Sequence, residues 1–405
     1  MNKGIIRRAS RLLIWSLGVL LVLTSCSFPG LASTHDQLPQ VSQQPTPTAL
    51  PPIHFPQDEG RHNDLTEWWY YTGHLEGRTS DGQQHTYGFE LVIFQALRSN
   101  FAPIYPAHFA LSDITRGEFH YDQRLDTKIS GSLPDKNATR GIDEQVGDWC
   151  IQGLNGYDHL KASMTNYALD LNLDAKKPAV LHNGNGLITY GLAGFSYYYS
   201  RTRMAVHGTL LDHKQSLQVS GLAWMDHQWG NFLTFGGGGW DWYSIQFNNN
   251  TEMMLYFIRD ASGHALTTYV GLIDAQGYDT VLPGSAFHST VLGTWRSPKT
   301  GITYPSGWHL VITDPHFHSD LIIQPLLKDQ ELVVTGSTGN SYWEGTVSIQ
   351  GQNNNQPVRG QGYVELTGYT KNSLAMLKNR KSMVMETSYH HRIFKYSNRE
   401  DIIEV

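Results

Sequence analysis

The sequence predicts an all-β protein built from two tandem β-barrel or sandwich domains, and three observations carry that expectation. Short apolar or alternating runs recur along most of the chain, turn-forming clusters separate them, and one stretch of strand–turn–strand pattern occurs twice. The runs include Glu67–Leu75, Thr86–Gln95, Asp170–Leu173, Gly186–Leu192, Met204–Leu211, Tyr243–Phe247, Glu252–Arg259, Thr268–Ile273, Trp308–Thr313, Leu321–Pro325, Glu331–Thr335, Tyr342–Ile349 and Gly362–Leu366. Between them lie Asp81-Gly82, Asn183-Gly184-Asn185-Gly186, Asn248-Asn249-Asn250, Ala261-Ser262-Gly263 and Asn353-Asn354-Asn355. Asn and Gly tolerate the left-handed backbone that tight turns require. A helix is expected only over Thr370–Asn379.

The N-terminus has a different character. Lys3, Arg7, Arg8 and Arg11 precede the apolar run Leu12–Leu23, which is too short and too one-sided for an ordinary membrane span and reads as a secretion signal, residues 1–25. Leu23-Thr24-Ser25-Cys26 resembles the lipobox of bacterial lipoproteins, so cleavage is expected to leave a lipidated Cys26 on an exported, membrane-anchored protein. Residues 26–55 are rich in Pro, Gln, Ser and Thr and read as a disordered tether. The two domains are then placed at residues 56–232 and 233–395.

Removing the signal leaves 26 basic residues against 36 acidic ones, a balance of −10 that speaks against nucleic acid as a partner. Once Cys26 is lipidated, Cys150 is the only other cysteine, so no intrachain disulfide is available. Stability has to come from a core, and 12% aromatic residues supply the area for it. Cys150 has no base beside it in sequence and reads as a buried small hydrophobe.

The internal repeat compares His207-Gly208-Thr209 through Asp226 with Glu344-Gly345-Thr346 through Glu365. Val219, Gly221, Trp224 and Asp226 fall on Val358, Gly360, Tyr363 and Glu365, with two extra residues assigned to the second turn. The densest chemistry lies in Val219–Ser244, where Trp224, Trp229, Trp240 and Trp242 surround Asp226, His227 and Asp241. Carboxylates beside tryptophans are costly to bury without partners, so they mark either a tuned site or a satisfied structural network. Arg201 and Arg203 are expected to be ion-pair partners for these carboxylates.

Four segments resemble, in order, the AttH-type lipocalin-like family: His62–Leu75 (HNDLTEWWYYTGHL), Trp224–Gly230 (WMDHQWG), Gly239–Trp242 (GWDW) and Gly362–Tyr369 (GYVELTGY). The likeness runs from about Phe55 to Tyr389. That family includes carotenoid 1,2-hydratases, predicted secreted hydrolases and fungal Diels–Alderase relatives. The resemblance implies two lipocalin-like domains with an apolar cavity in or between them, binding a polyene or other lipid-like small molecule. It also implies acid–base hydration or hydrolysis with no cofactor. A His-x-Trp pair and a later Tyr and Asp are implicated in carotenoid hydratases. His227-Gln228-Trp229 matches the first pair, whereas Tyr256 and Asp260, four apart, match the second imperfectly.

Alkene hydration needs an acid able to protonate carbon, a surface that tolerates a cation and a placed water. The expected catalytic set is therefore Asp226 as the desolvated acid, His227 holding it or taking the proton from water, with Trp229, Glu67 and Tyr256. Trp68, Trp69, Trp224, Trp240, Asp241 and Trp242 are the expected substrate-binding residues. No metal is expected, since His316-Phe317-His318 lacks a third ligand in sequence. A non-catalytic carrier of an apolar ligand stays open beside the enzyme.

Overall fold

The computed structural model describes residues 50–98, 102–127, 141–190, 194–232, 237–260 and 262–370. The signal segment, Cys26, most of the tether, residues 371–395 of the second domain and all but the first residue of the expected helix lie outside these residues.

The alternating runs become two large antiparallel sheets, and the chain is all-β with two lipocalin-like domains in tandem. In the first sheet the order is Glu118–Asp126, Tyr105–Asp113, Gln84–Ala96, Thr66–Arg78, Gln215–Gly230, Phe195–Asp212, Tyr167–Ala175, Tyr157–Met164, Trp149–Leu154 and Ile142–Val146. It curls until the two end strands lie close together, forming a nearly closed barrel. In the second sheet the order is Asp279–Leu282, Ala265–Ile273, Glu252–Asp260, Gly237–Phe247, Gln356–Leu366, Asn340–Asn353, His318–Pro325, Trp308–Thr313 and Phe287–Val291.

Strand parity sorts the aromatic residues into separate cores. Along Thr66–Arg78, Trp69, Tyr71 and Leu75 enter the first barrel, while Tyr70 and Trp68 face the second domain. Along Gly237–Phe247, Tyr243, Ile245 and Phe247 enter the second core and Trp242 faces back toward the first. A third apolar cluster, with Tyr70, Val92, Tyr198, Trp224, Trp242, Tyr256 and Tyr363, therefore lies between the two sheets.

The repeat survives with one correction. Asp226 pairs with Tyr70 on one side and Ser200 on the other, and Glu365 pairs with Trp242 and Glu344, so the two acids hold matching places. The first strand of each hairpin was placed out of frame, however. Val219 faces Gly208 and Val358 faces Gly351, making Gly351 and not Gly345 the counterpart of Gly208. Both turns hold two residues, His213-Lys214 and Asn354-Asn355, and the difference in length lies in the arms and in an irregularity between Arg201 and Met204.

Two other expectations change. Residues 50–55, read as the end of the tether, are docked: Leu50 and Ile53 pack on the first core, Tyr197 donates to the carbonyl of Pro51 at 2.6 Å, and Phe55 meets the ring of Tyr199 edge-on at 4.9 Å. Arg201 pairs with Glu59 and Arg203 with Glu252 at 2.5 Å, so neither meets Asp226, Glu365 or Glu67.

Glu252 also accepts from Lys177 at 2.6 Å, so two cations of the first domain converge on one buried acid of the second. Removing the acid leaves Lys177 and Arg203 inside the interface without their counter-charge. Glu252→Ala is expected to cost about 3–5 kcal/mol, measured by urea unfolding of the full chain; an unchanged midpoint would show that the cations find other partners.

Candidate functional site

Between the sheets lies a cavity of about 140 Å³. An engineered cavity of roughly 150 Å³ admits benzene, so this one has room for an apolar group of similar size. Trp68, Tyr70 and Phe94 form the wall from the first domain, and Trp240, Trp242, Tyr256 and Ile258 the wall from the second. Tyr190, Tyr198 and Phe232 extend it. Into this aromatic space project three carboxyl groups, Glu90, Asp226 and Glu365. A fourth, Glu344, is buried beside them and accepts from Tyr70 across the domain boundary at 2.8 Å.

The four acids are held differently. Asp226 accepts from Ser200, Tyr198 and the Trp224 indole, the last at 2.6 Å, so both of its oxygens are engaged. Burial nevertheless pushes it up to about 6, against those three donors. Glu365 accepts from the Trp240 indole at 2.7 Å. Burial raises it to about 7, with that hydrogen bond opposing and the charge of Asp226 adding. Glu90 accepts from Tyr342 at 2.8 Å through one oxygen, and its other oxygen is buried without a hydrogen-bonding partner. Glu90 and Glu344 are both driven upward, first by burial and then by neighbouring carboxylates. Among the described residues none of the four forms a salt bridge, so their charges are not neutralised by a paired cation. Near neutrality this cluster holds protons.

The expected catalytic residues divide between two places. Asp226 and Tyr256 line the cavity, with Trp68, Trp240 and Trp242. Trp224 stands behind Asp226 and packs edge-on against Trp242 at 6.2 Å. His227, Trp229, Glu67 and Trp69 face the other way, into the first barrel, because adjacent residues of one strand project to opposite faces. His227 bonds Glu67 at 2.9 Å and Tyr199 at 3.3 Å and does not hold Asp226. Asp241 faces the core of the second domain, paired with Arg259 at 3.0 Å and accepting from Tyr369 at 3.0 Å. Asp260 caps the turn at Ser262 and His264, so only the Tyr256 half of the later Tyr and Asp reaches the cavity.

The AttH-like family profile matches residues 46–369. The chain belongs to the AttH-like family. A solved AttH structure from Nitrosomonas europaea aligns with a TM-score of 0.69 and 30% identity, covering 79% of this chain and 98% of its own. Kievitone hydratase from Fusarium solani subsp. phaseoli is 23% identical over 308 residues, 74% of this chain and 81% of that protein. The structure of kievitone hydratase from Nectria haematococca aligns with a TM-score of 0.61 at 20% identity, covering 84% of this chain and 97% of that one, and so shares the fold. The protein is thus an AttH-like chain whose lipocalin-type architecture is shared with a hydratase.

Reading the sequence left Glu90, Glu344, Tyr198 and Tyr342 out of the site. Glu90 carries a signal in retrospect: it is the single acid in Thr86–Gln95, set between Phe89 and the apolar run Leu91–Phe94. Glu365 was visible as the repeat partner of Asp226 and within the Gly362–Tyr369 segment, but was given no role in the site.

A raised acid carries its full stability contribution below the unfolded value near 4.5 and loses it as pH climbs through the folded value, here about 7. Wild type is therefore expected to lose roughly 3 kcal/mol relative to Glu365→Gln between pH 4.5 and 7.5, levelling above that. Paired urea titrations of the two proteins across this range check it, and parallel pH profiles would refute the raised carboxyl.

Proposed function

We propose that this AttH-like protein adds water across a carbon–carbon double bond of a hydrophobic small molecule held between its two domains. The observation that carries the proposal is the cluster of proton-holding carboxyl groups in an aromatic cavity. Glu365 donates its proton to one alkene carbon, and the π electrons form the new C–H bond. The cation left on the other carbon lies against the faces of Trp68, Trp240 and Trp242, each favourable ring being worth about 0.5–2 kcal/mol. Water attacks that carbon and gives its extra proton to the Glu365 carboxylate, restoring the acid. Asp226, tied by three donors, fixes the local field and helps keep Glu365 protonated. A group poised near neutrality suits this role, because it is still protonated and still acidic enough to give the proton up.

A polyene or other lipid-like substrate fits both the aromatic walls and an exported protein anchored through Cys26, where such molecules partition. A carrier would be expected to neutralise its buried acids in ion pairs, and among the described residues these acids bond hydroxyl and indole donors and no cation, which favours the enzyme.

The test is incubation of the full chain in detergent with acyclic carotenoids and a hydrophobic extract, read by mass spectrometry in H₂O and D₂O. A gain of one water by wild type is expected, with Glu365→Gln slowed by roughly 100-fold or more and the wild-type rate falling as pH rises past about 7. Substrates retained unchanged by both proteins would establish a carrier instead. Separately, Cys26→Ser is expected to move the protein from the membrane to the soluble fraction, and intact-mass analysis of wild type to show acyl chains; an unmodified membrane form would refute the anchor.

A further inference from the structure

The first barrel carries a second cluster that the hydration reading does not use. His62, in the segment leading into the Thr66–Arg78 strand, places Nδ1 2.7 Å from Oε1 of Glu67. His227, on the neighbouring strand, places Nε2 2.9 Å from the same oxygen. These potential ligand atoms all lie within 4.8 Å of one another, and Glu67 and His227 are fully buried. We infer that His62, Glu67 and His227 form a binding site for a divalent cation of the zinc class at the mouth of the first barrel.

The donor set and its surroundings both fit. Two imidazoles and one carboxylate suit zinc, cobalt or nickel rather than the oxygen-seeking calcium or magnesium. Four-coordinate zinc holds such atoms at about 2.0–2.2 Å, hence about 3.3 Å from each other, so the two contacts to Glu67 have to open by roughly half an ångström while the two imidazole nitrogens, within 4.8 Å of each other, settle to the same spacing.

Metal-binding imidazoles are usually oriented through their other nitrogen. Here Nε2 of His62 reaches Asp58 at 3.4 Å, and Nδ1 of His227 reaches the hydroxyl of Tyr199 at 3.3 Å. The second oxygen of Glu67 accepts the His62 amide at 2.8 Å and the Gln95 side chain at 3.2 Å, leaving Oε1 as a single ligand atom. His62 stacks flat on Trp229 at 4.1 Å, which fixes its ring, while 15% of its side chain stays exposed and gives the ion a way in. The three ligands are absent from the cavity lining. Bound metal would clamp the segment before the first strand onto the barrel, a structural role independent of the hydration chemistry.

The full chain, stripped with a chelator and dialysed, is titrated with Zn²⁺ by calorimetry and with Co²⁺ by visible absorption. One equivalent is expected to bind, with a Co²⁺ spectrum of low-symmetry nitrogen and oxygen ligation. Saturating Zn²⁺ should also raise Tm by roughly 5 °C. Glu67→Gln and His62→Ala are expected to weaken binding at least about 100-fold, and Asp58→Asn, outside the ligand set, by about tenfold. Because the wild-type cobalt spectrum needs no variant, a folding defect in either ligand variant leaves the test intact. Absence of stoichiometric binding would overturn the site, and binding retained in both ligand variants would overturn it and assign the metal to other histidines.

Discussion

Four carboxyl groups share one low-dielectric space between two sheets, and most of what distinguishes this protein follows from how that burial is tolerated. An isolated buried carboxylate is far too costly, so each group either keeps its proton or collects donors. Asp226 collects three, Glu365 and Glu90 are each bonded by one indole or hydroxyl, and Glu344 takes the Tyr70 hydroxyl from the opposite domain. The domains are thereby stitched together through the same groups that give the cavity its acidity. Tyr342 joins them twice, donating to Glu90 and meeting His108 at 2.7 Å. A change that weakens the interface therefore changes the acids, and conversely.

Strand parity supplies the second constraint. Trp224, Asp226 and Gln228 project to the cavity side, while Met225, His227 and Trp229 enter the first barrel. One contiguous motif thus serves two places with different chemistry. The barrel interior receives the His-Glu-His cluster, in which burial of Glu67 is outweighed by the charge of His62 and the hydrogen bonds of both histidines, lowering its pKa. His62 is correspondingly raised to about 9, the pull of Glu67 and Asp58 overcoming burial, whereas His227 is pushed down to about 4 by burial. On the other face the same strand holds a carboxyl that is raised.

The fold was legible because alternation and turn chemistry are local properties, and strands such as Thr66–Arg78, Gln84–Ala96 and Glu252–Asp260 fall where those patterns lie, whereas Glu118–Asp126, Ile142–Val146, Trp149–Leu154 and Tyr157–Met164 are not among the runs read from sequence. Tyr105–Asp113 escaped because it is buried along its whole length and so lacks alternation, and Pro106 and His108 interrupt its apolar run. In the site, Asp226 and the tryptophans were legible as an unusual concentration of acid and indole in one stretch. The separation of Asp226 from His227 was also available from period-two counting, had it been applied within the motif. The Tyr70–Glu344 and Tyr342–Glu90 bonds were not, since they join residues about 250 or more positions apart, and nothing in either local sequence names its partner.

The repeat explains where the cavity lies and why its halves differ. Matching strands of the two domains face each other, so the equivalent acids Asp226 and Glu365 meet at the junction, each opposite the aromatic residue that pairs with it, Tyr70 or Trp242. A symmetric pair of carboxyls would split its two titrations without fixing which of the two keeps the proton. Divergence at neighbouring positions breaks the tie: Ser200 beside Asp226 is a donor, whereas its counterpart beside Glu365 is Glu344, another acid. The hydroxyl draws Asp226 toward the charged form, and the charge of Asp226 adds to burial in raising Glu365. The duplicated scaffold thus yields one acid held low enough to carry charge near neutrality and another held high enough to keep its proton, which is the asymmetry that proton donation to an alkene requires.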